Sequence, residues 1–174
     1  IGGSLTQGIF EIGDEIEIKP GIMNEKKKNY EPLLTEITSL GTAAGIVESV
    51  KPGGLVAIGT KLDPAMTRSD SFIGSVIGKP GTLPENSENI KLEVNLFDSA
   101  VGTTEDTKVI PIQSGELLRL NIGTAPVLGQ VTKVKSKTAE IKLRRPACVF
   151  EGGNVAISRR IADRWRLIGA GVIG

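Results

Sequence analysis

A chain of 174 residues with a net charge of +1, 39% hydrophobic residues and 3% aromatics has room for one domain or two small ones, with a core of valine, isoleucine and leucine rather than rings. It contains no histidine and a single cysteine, Cys148, which excludes histidine-dependent triads, histidine metal sites and an internal disulfide, and makes a reducing compartment the expected setting. No apolar run approaches the ~18 residues of a membrane span and no signal-peptide pattern opens the chain, so a soluble, cytoplasmic, β-rich protein is expected, its 22 glycines and 9 prolines implying many turns.

Nearly every patterned segment alternates with period two, the mark of half-buried antiparallel strands. Residues 15–19 (EIEIK) come first, then 35–40 (TEITSL), then the run around Ile46 and Val47. Between the first two lies a polar loop carrying Lys26, Lys27 and Lys28. Three lysines at a loop tip serve solubility and mobility, or else face a partner subunit or RNA. Pro52, Gly53 and Gly54 lead into an apolar strand, Leu55 to Ile58, which leaves through Gly59. A charged loop with Lys61, Asp63, Arg68 and Asp70 follows, then a second apolar strand expected over 72–77, and a Pro80-Gly81 turn. Paired glycines ahead of a strand admit another backbone or a ligand closely, or simply make a tight turn.

Residues 81–89 lack periodicity and are rich in turn formers, which puts a domain boundary near Pro84 and divides the chain into 1–83 and 84–174. Alternation restarts at 91–97 (KLEVNLF). Residues 98–115 are mostly polar around a short apolar piece at 109–112. Strands are expected at 118–122, 130–135, 139–143, 154–161 and 165–173. No stretch of ten or more residues has helical periodicity. Short strands at regular spacing with glycine-rich turns predict barrels or sandwiches, and closure into barrels would remove exposed edges.

Little chemistry is available to such a chain. Cys148, between Ala147 and Val149, reads as a small core residue. The carboxylates are scattered over strand faces, so a hydrolase has no constellation to work with, and the expected activity is binding. No G-x-x-x-x-G-K-[ST] loop occurs, so this chain is not expected to bind GTP by itself. Charge is uneven: residues 1–83 carry 8 Lys and Arg against 10 Asp and Glu, and 84–174 carry 13 against 10. Seven of the basic residues fall between 140 and 166. Such a region attracts phosphates, or forms a solvated face with internal ion pairs. Trp165, flanked by Arg164 and Arg166, is either a packing anchor or a platform for arginine stacking.

Four segments together carry a family resemblance over nearly the whole length. Residues 2–8 (GGSLTQG), 13–18 (GDEIEI) and 20–21 resemble the opening of the second domain of elongation-factor-Tu-like GTPases. Residues 51–60 (KPGGLVAIGT) and 62–64 (LDP) are similar to the version found in the gamma subunit of archaeal and eukaryotic translation initiation factor 2. Arg144-Arg145-Pro146, 157–160 (ISRR) and 165–169 (WRLIG) resemble the last domain of that subunit.

The resemblance implies an all-β chain of two consecutive antiparallel β-barrels, 1–83 (its first strand missing) and 84–174. It implies that a GTPase domain holding GTP and Mg precedes Ile1, that the chain is a fragment, and that nothing in it is catalytic. It also implies binding of initiator methionyl-tRNA, the alpha and beta subunits and the small ribosomal subunit, with no membrane partner and no metal site. The aminoacylated end would sit in an aliphatic slot made by Gly53, Gly54, Leu55 and Val56 with Ile73 and Val76 across from them, phosphates being met by Lys61 and Arg68. Where elongation factors carry an acidic residue and an arginine, this chain has Gly54 and Ile58, so the location of the pocket carries over and its side-chain contacts do not. Subunit docking falls on Lys26, Lys27, Lys28, Tyr30 and Asp70. Arg144, Arg145, Arg159, Arg160 and Arg164 would meet RNA or a neighbouring domain. The alternatives are a specialised elongation factor, such as one for selenocysteyl-tRNA, and a purely structural interaction module.

Overall fold

The period-two segments are strands, and most run longer than the alternation that announces them. The computed structural model describes residues 1–68, 71–103 and 107–174. These residues divide into two compact units, Ile1–Leu83 and Pro84–Gly174. Among them the helical structure is one four-residue 3-10 turn, Pro64–Thr67, so the chain is all-β.

The first unit contains β1 (Gly2–Ser4), β2 (Phe10–Glu11), β3 (Glu15–Asn24), β4 (Asn29–Thr42), β5 (Gly45–Val47), β6 (Ser49–Val50), β7 (Leu55–Thr60) and β8 (Val76–Gly78). Its main sheet runs β1-β7-β4-β3-β8, with β5 added to β4, while β2 and β6 form a separate pair. The sheet is a curled half-barrel. Its core takes Ile16 and Ile18 from β3 by simple alternation, Ile37 and Leu40 from β4, where a register shift between Ile37 and Ser39 returns both to the buried side, and Val56 from β7.

Two expectations are corrected in this unit. The strand expected over 72–77 is only Val76–Gly78; residues 71–74 form a turn, because Gly74 takes a φ of +80° and breaks the extended run. The triple-lysine loop is shorter than the sequence suggested, because β3 and β4 extend past a bulge into a hairpin arm. There Ile18 pairs with Leu33 but Ile22 pairs with Glu31, so Lys19, Pro20 and Gly21 face the single residue Pro32. Gly21, at φ +87°, is indispensable here, since a Cβ would overlap the Glu31 carbonyl.

The second unit contains β9 (Asn86–Leu96), β10 (Leu117–Ile122), β11 (Ala125–Lys135), β12 (Thr138–Cys148), β13 (Asn154–Ile161) and β14 (Arg164–Ile173). They close into a barrel in the order β10-β11-β12-β9-β14-β13, β13 returning to β10. Alternate residues point inward, including Leu92, Leu118, Leu120, Ile141 and Ile157, which are fully buried. Cys148 is buried as well, its Sγ donating to the carbonyl of Pro84 at 3.6 Å. The apolar piece at 109–112 forms no strand; Ile112 instead plugs the barrel core. β9 starts at Asn86, inside the stretch that read as boundary loop.

Candidate functional site

The approach to β7 is bare. Gly53 and Gly54 have φ of +144° and +155°, and a Cβ built on either meets nothing within 4 Å. Glycine is required there by backbone conformation rather than by a neighbour, and the corner is left open to an incoming group. Leu55, the next residue, is 76% exposed, whereas Val56 points into the core. Beyond this corner the outer face is smooth. Ladder partners share a face, so Gly2, Ala57, Gly41 and Ile46 form one outward row across β1, β7, β4 and β5. Ile46 is 87% exposed at the end of that row, and no residue in it is charged.

The aliphatic slot expected from sequence is not built as proposed. β7 and β8 are not neighbours; β4 and β3 lie between them. Val76 pairs with Lys19 on β3, Ile73 sits half-exposed in the turn before β8, and Val56 belongs to the core. Two apolar runs close in sequence read as a pair, but the curl of the sheet sends them to different strands. Gly53, Gly54 and Leu55 remain together as one exposed corner.

Lys61 and Arg68 are both exposed on the loop that leaves β7. The Lys61 Nζ lies 2.7 Å from Glu36 Oε2 on β4, an exposed ion pair. The loop is shaped by Asp63, whose Oδ1 accepts the Ala65 amide at 2.8 Å as the N-cap of the short 3-10 turn. The Ser71 hydroxyl donates to the Met66 carbonyl. Asp70 lies outside the described residues.

The hairpin arm holds the other predicted surface. Asn24 Oδ1 accepts the amides of Lys26 and Lys27 at 3.1 and 3.2 Å, which tightens the tip. Its Nδ2 donates to Glu31 Oε2 at 3.0 Å, while Lys27 Nζ donates to Glu31 Oε1 at 2.7 Å. These bonds hold the Glu31 carboxyl below its ordinary range, Lys27 contributing most, and the same bond raises the Lys27 ammonium above its own. Lys26 and Lys28 stay exposed at the tip. Met23 and Tyr30 face each other across the ladder, and exposed Ile22 faces Glu31 on the other side, so the arm sets apolar side chains beside its charged tip.

Residues 88–173 match the family described as "Initiation factor eIF2 gamma, C terminal". Three archaeal proteins called translation initiation factor 2 subunit gamma align with 99% of this chain: that of Methanopyrus kandleri at 53% identity, of Methanocaldococcus jannaschii at 50% and of Archaeoglobus fulgidus at 49%. The chain belongs to the gamma-subunit family of translation initiation factor 2. It spans 41–43% of the length of these relatives, matching their C-terminal part.

In this gamma-family chain the five arginines singled out in the second unit do not act alike. Arg159 is a structural fork: Nε meets Glu116 Oε1 at 2.5 Å, one terminal nitrogen meets Oε2 at 3.1 Å, and further bonds reach the carbonyls of Ile110 and Pro111. That sets it apart from a free contact for RNA or a neighbouring domain, because its bonds go to Glu116 and two backbone carbonyls of its own unit. Arg160 pairs with Asp163 at 3.1 Å on the exposed β13–β14 hairpin. The cleft of about 450 Å³ beside them, lined by Ser114, Glu116, Arg159 and Arg160, is therefore nearly charge-balanced. Arg145 is half-buried, while Arg144 and Arg164 are exposed.

Sequence reasoning counted Lys142 in the basic 140–166 stretch but missed Lys91, Lys133 and Arg119 on the outer face of the same barrel. Lys142 lies two residues before Arg144 on the outside of β12, opposite Gln130 on one side and Asn89 on the other, both neutral. The next outward row reads Lys133, Glu140, Lys91, and Arg119 stands on β10 between Leu128 and Ser158. Lys91 and Arg119 are far from the arginine-rich segment in sequence; only the ladder register brings them round. Among the described residues no group of three or more carboxylates or sulfur ligands gathers to hold a metal, and no helix is long and apolar enough to cross a membrane.

Proposed function

We propose that this chain is the part of an initiation factor 2 gamma subunit that holds the aminoacylated end of initiator methionyl-tRNA and docks the alpha subunit, with GTP, Mg and GTP hydrolysis handled by residues outside it. The observation that carries this reading is the ~50% identity, over 99% of the chain, to proteins named as that subunit. Their naming favours it over a selenocysteyl-type elongation factor. The exposed corner at Gly53, Gly54 and Leu55 suits a nucleotide end that must approach a backbone closely, and Lys61 and Arg68 on the following loop are exposed cations for its phosphates. The arm bearing Lys26, Lys28 and Tyr30 suits a protein partner better than a nucleic acid, since exposed Ile22 and Met23 put apolar surface beside its charged tip. The outward cations Lys142 and Arg144, with Lys91 and Arg119, suit an RNA backbone, such as that of the small ribosomal subunit. The beta subunit is a further partner in this reading.

The test uses the full-length factor with GTP. Unlabelled methionyl-tRNA should displace labelled methionyl-tRNA, and deacylated tRNA should not. Equal competition by the two would overturn the reading.

A further inference from the structure

The last residues of the first unit fold back on β3. After Gly78, the Thr82 amide and hydroxyl both donate to the carbonyl of Lys79, at 3.1 and 2.7 Å, closing a turn in which Gly81 takes a φ of +77°. Leu83 lies over Gly78, its Cδ2 standing 2.6 Å from where a Cβ on that glycine would be. Two charged side chains of β3 reach this turn. Glu17 Oε2 accepts the Gly81 amide at 3.2 Å, and Lys19 Nζ donates to the Leu83 carbonyl at 3.3 Å. The same two side chains pair with each other at 3.8 Å.

Lys19 is only 3% exposed, the sole buried charged residue among those described. A buried ammonium is tolerated where hydrogen bonds replace its water, and here one of them ends on the last residue of the unit. Leu83 precedes Pro84, which restricts Leu83 to extended conformations and fixes the next φ. Pro84 is in turn tied to the second unit through Cys148. Each of these adjacent carbonyls is thus bound by a buried side chain of its own unit.

We infer that Glu17 and Lys19 form a clasp that holds residues 79–83 against β3 and fixes where the chain leaves the first unit. With the clasp closed, the exit point is Leu83. With it open, residues 79–83 become a tether that reaches up to about 17 Å when extended. β3 also continues into the hairpin arm, so one strand carries both the arm and the exit clasp. The inference rests on these bonds alone and stands whether or not the chain binds tRNA.

Hydrogen exchange of the full chain tests it. Lys19→Met keeps the aliphatic stem and removes the ammonium, and Glu17→Gln removes the charge on the other side. Both should speed exchange of the Gly81 and Thr82 amides on the order of tenfold or more, with the core amide of Ile37 unchanged. Rates at Gly81 and Thr82 within twofold of the parent in both variants would overturn the clasp. Should Lys19→Met unfold the unit, Glu17→Gln is read together with Gly78→Ala, which displaces Leu83 without touching either charge. Faster exchange confined to 79–83 in both then supports the clasp, and unchanged exchange in Glu17→Gln overturns it.

Discussion

Arg159 on β13 and Glu116, just ahead of β10, face each other as a two-pronged pair, Nε to Oε1 at 2.5 Å and a terminal nitrogen to Oε2 at 3.1 Å, with both side chains largely buried. The Glu116 carboxylate also accepts the Gln113 amide at 3.1 Å. The pair therefore fastens the irregular segment before β10 to the barrel wall, and Arg159 adds the carbonyls of Ile110 and Pro111.

Breaking that fork should weaken the second unit without touching RNA binding. Arg159→Ala leaves the partly buried Glu116 carboxylate with only the Gln113 amide and should lower stability by about 1–3 kcal/mol. Arg159→Lys should recover only part of the loss, because an ammonium cannot reproduce the two-pronged geometry. Urea denaturation measures the stability, and affinity for RNA at matched salt should stay within twofold.

At the glycine corner, strain and charge have to be separated. Gly54→Ala forces a side chain into a φ of +155° and reports the backbone cost alone. Gly54→Glu adds a carboxylate facing the proposed nucleotide end. Methionyl-tRNA affinity of the full-length factor should fall on the order of tenfold further in the second variant than in the first. Equal losses would remove the corner from the binding site.

Lys61→Ala combined with Arg68→Ala should also weaken methionyl-tRNA binding, with little effect on folding. The Lys61–Glu36 pair is exposed, and such pairs contribute about 0–1 kcal/mol. A thermal melt close to the parent's, together with a weaker and less salt-sensitive affinity, is the expected outcome.

On β12, Lys142→Glu and Arg144→Glu should flatten the dependence of RNA affinity on salt, by about 0.7–0.9 in log–log slope for each phosphate that is no longer neutralised. The paired Arg160 offers a control. An unchanged slope in the double variant would exclude this face.

The hairpin arm should respond to acid. Glu31 titrates below the ordinary 4.5 because Lys27 and Asn24 donate to its ionised form. Its contribution to the arm is therefore complete above 4.5 and is lost as pH falls through the lowered folded value. Lys27, raised above 10.5 by the same bond, loses its contribution only as pH rises through its own folded value. Carboxyl NMR should show the Glu31 midpoint moving back toward 4.5 in Lys27→Met.

Strand identity was legible because alternation is local: a residue two places on returns to the same face, and Ile16, Ile18, Leu118 and Leu120 declare their side without any partner. The absence of histidine likewise needed no coordinates to exclude histidine-dependent triads and histidine metal sites in this chain. Which strands lie side by side was not local. Hydrogen-bonded neighbours are chosen by bulges, curl and closure, so the apolar runs on either side of Lys61 and Arg68 went to separate places in the sheet, Lys91 arrived on the strand beside Lys142, and Arg119 stands one strand beyond β11. A charge shows its purpose only once its partner is known. Arg159 and Lys19 look like surface residues in a string of letters, and only the tertiary structure, by bringing Glu116 and Leu83 to them across 43 and 64 residues, turned both into internal fastenings.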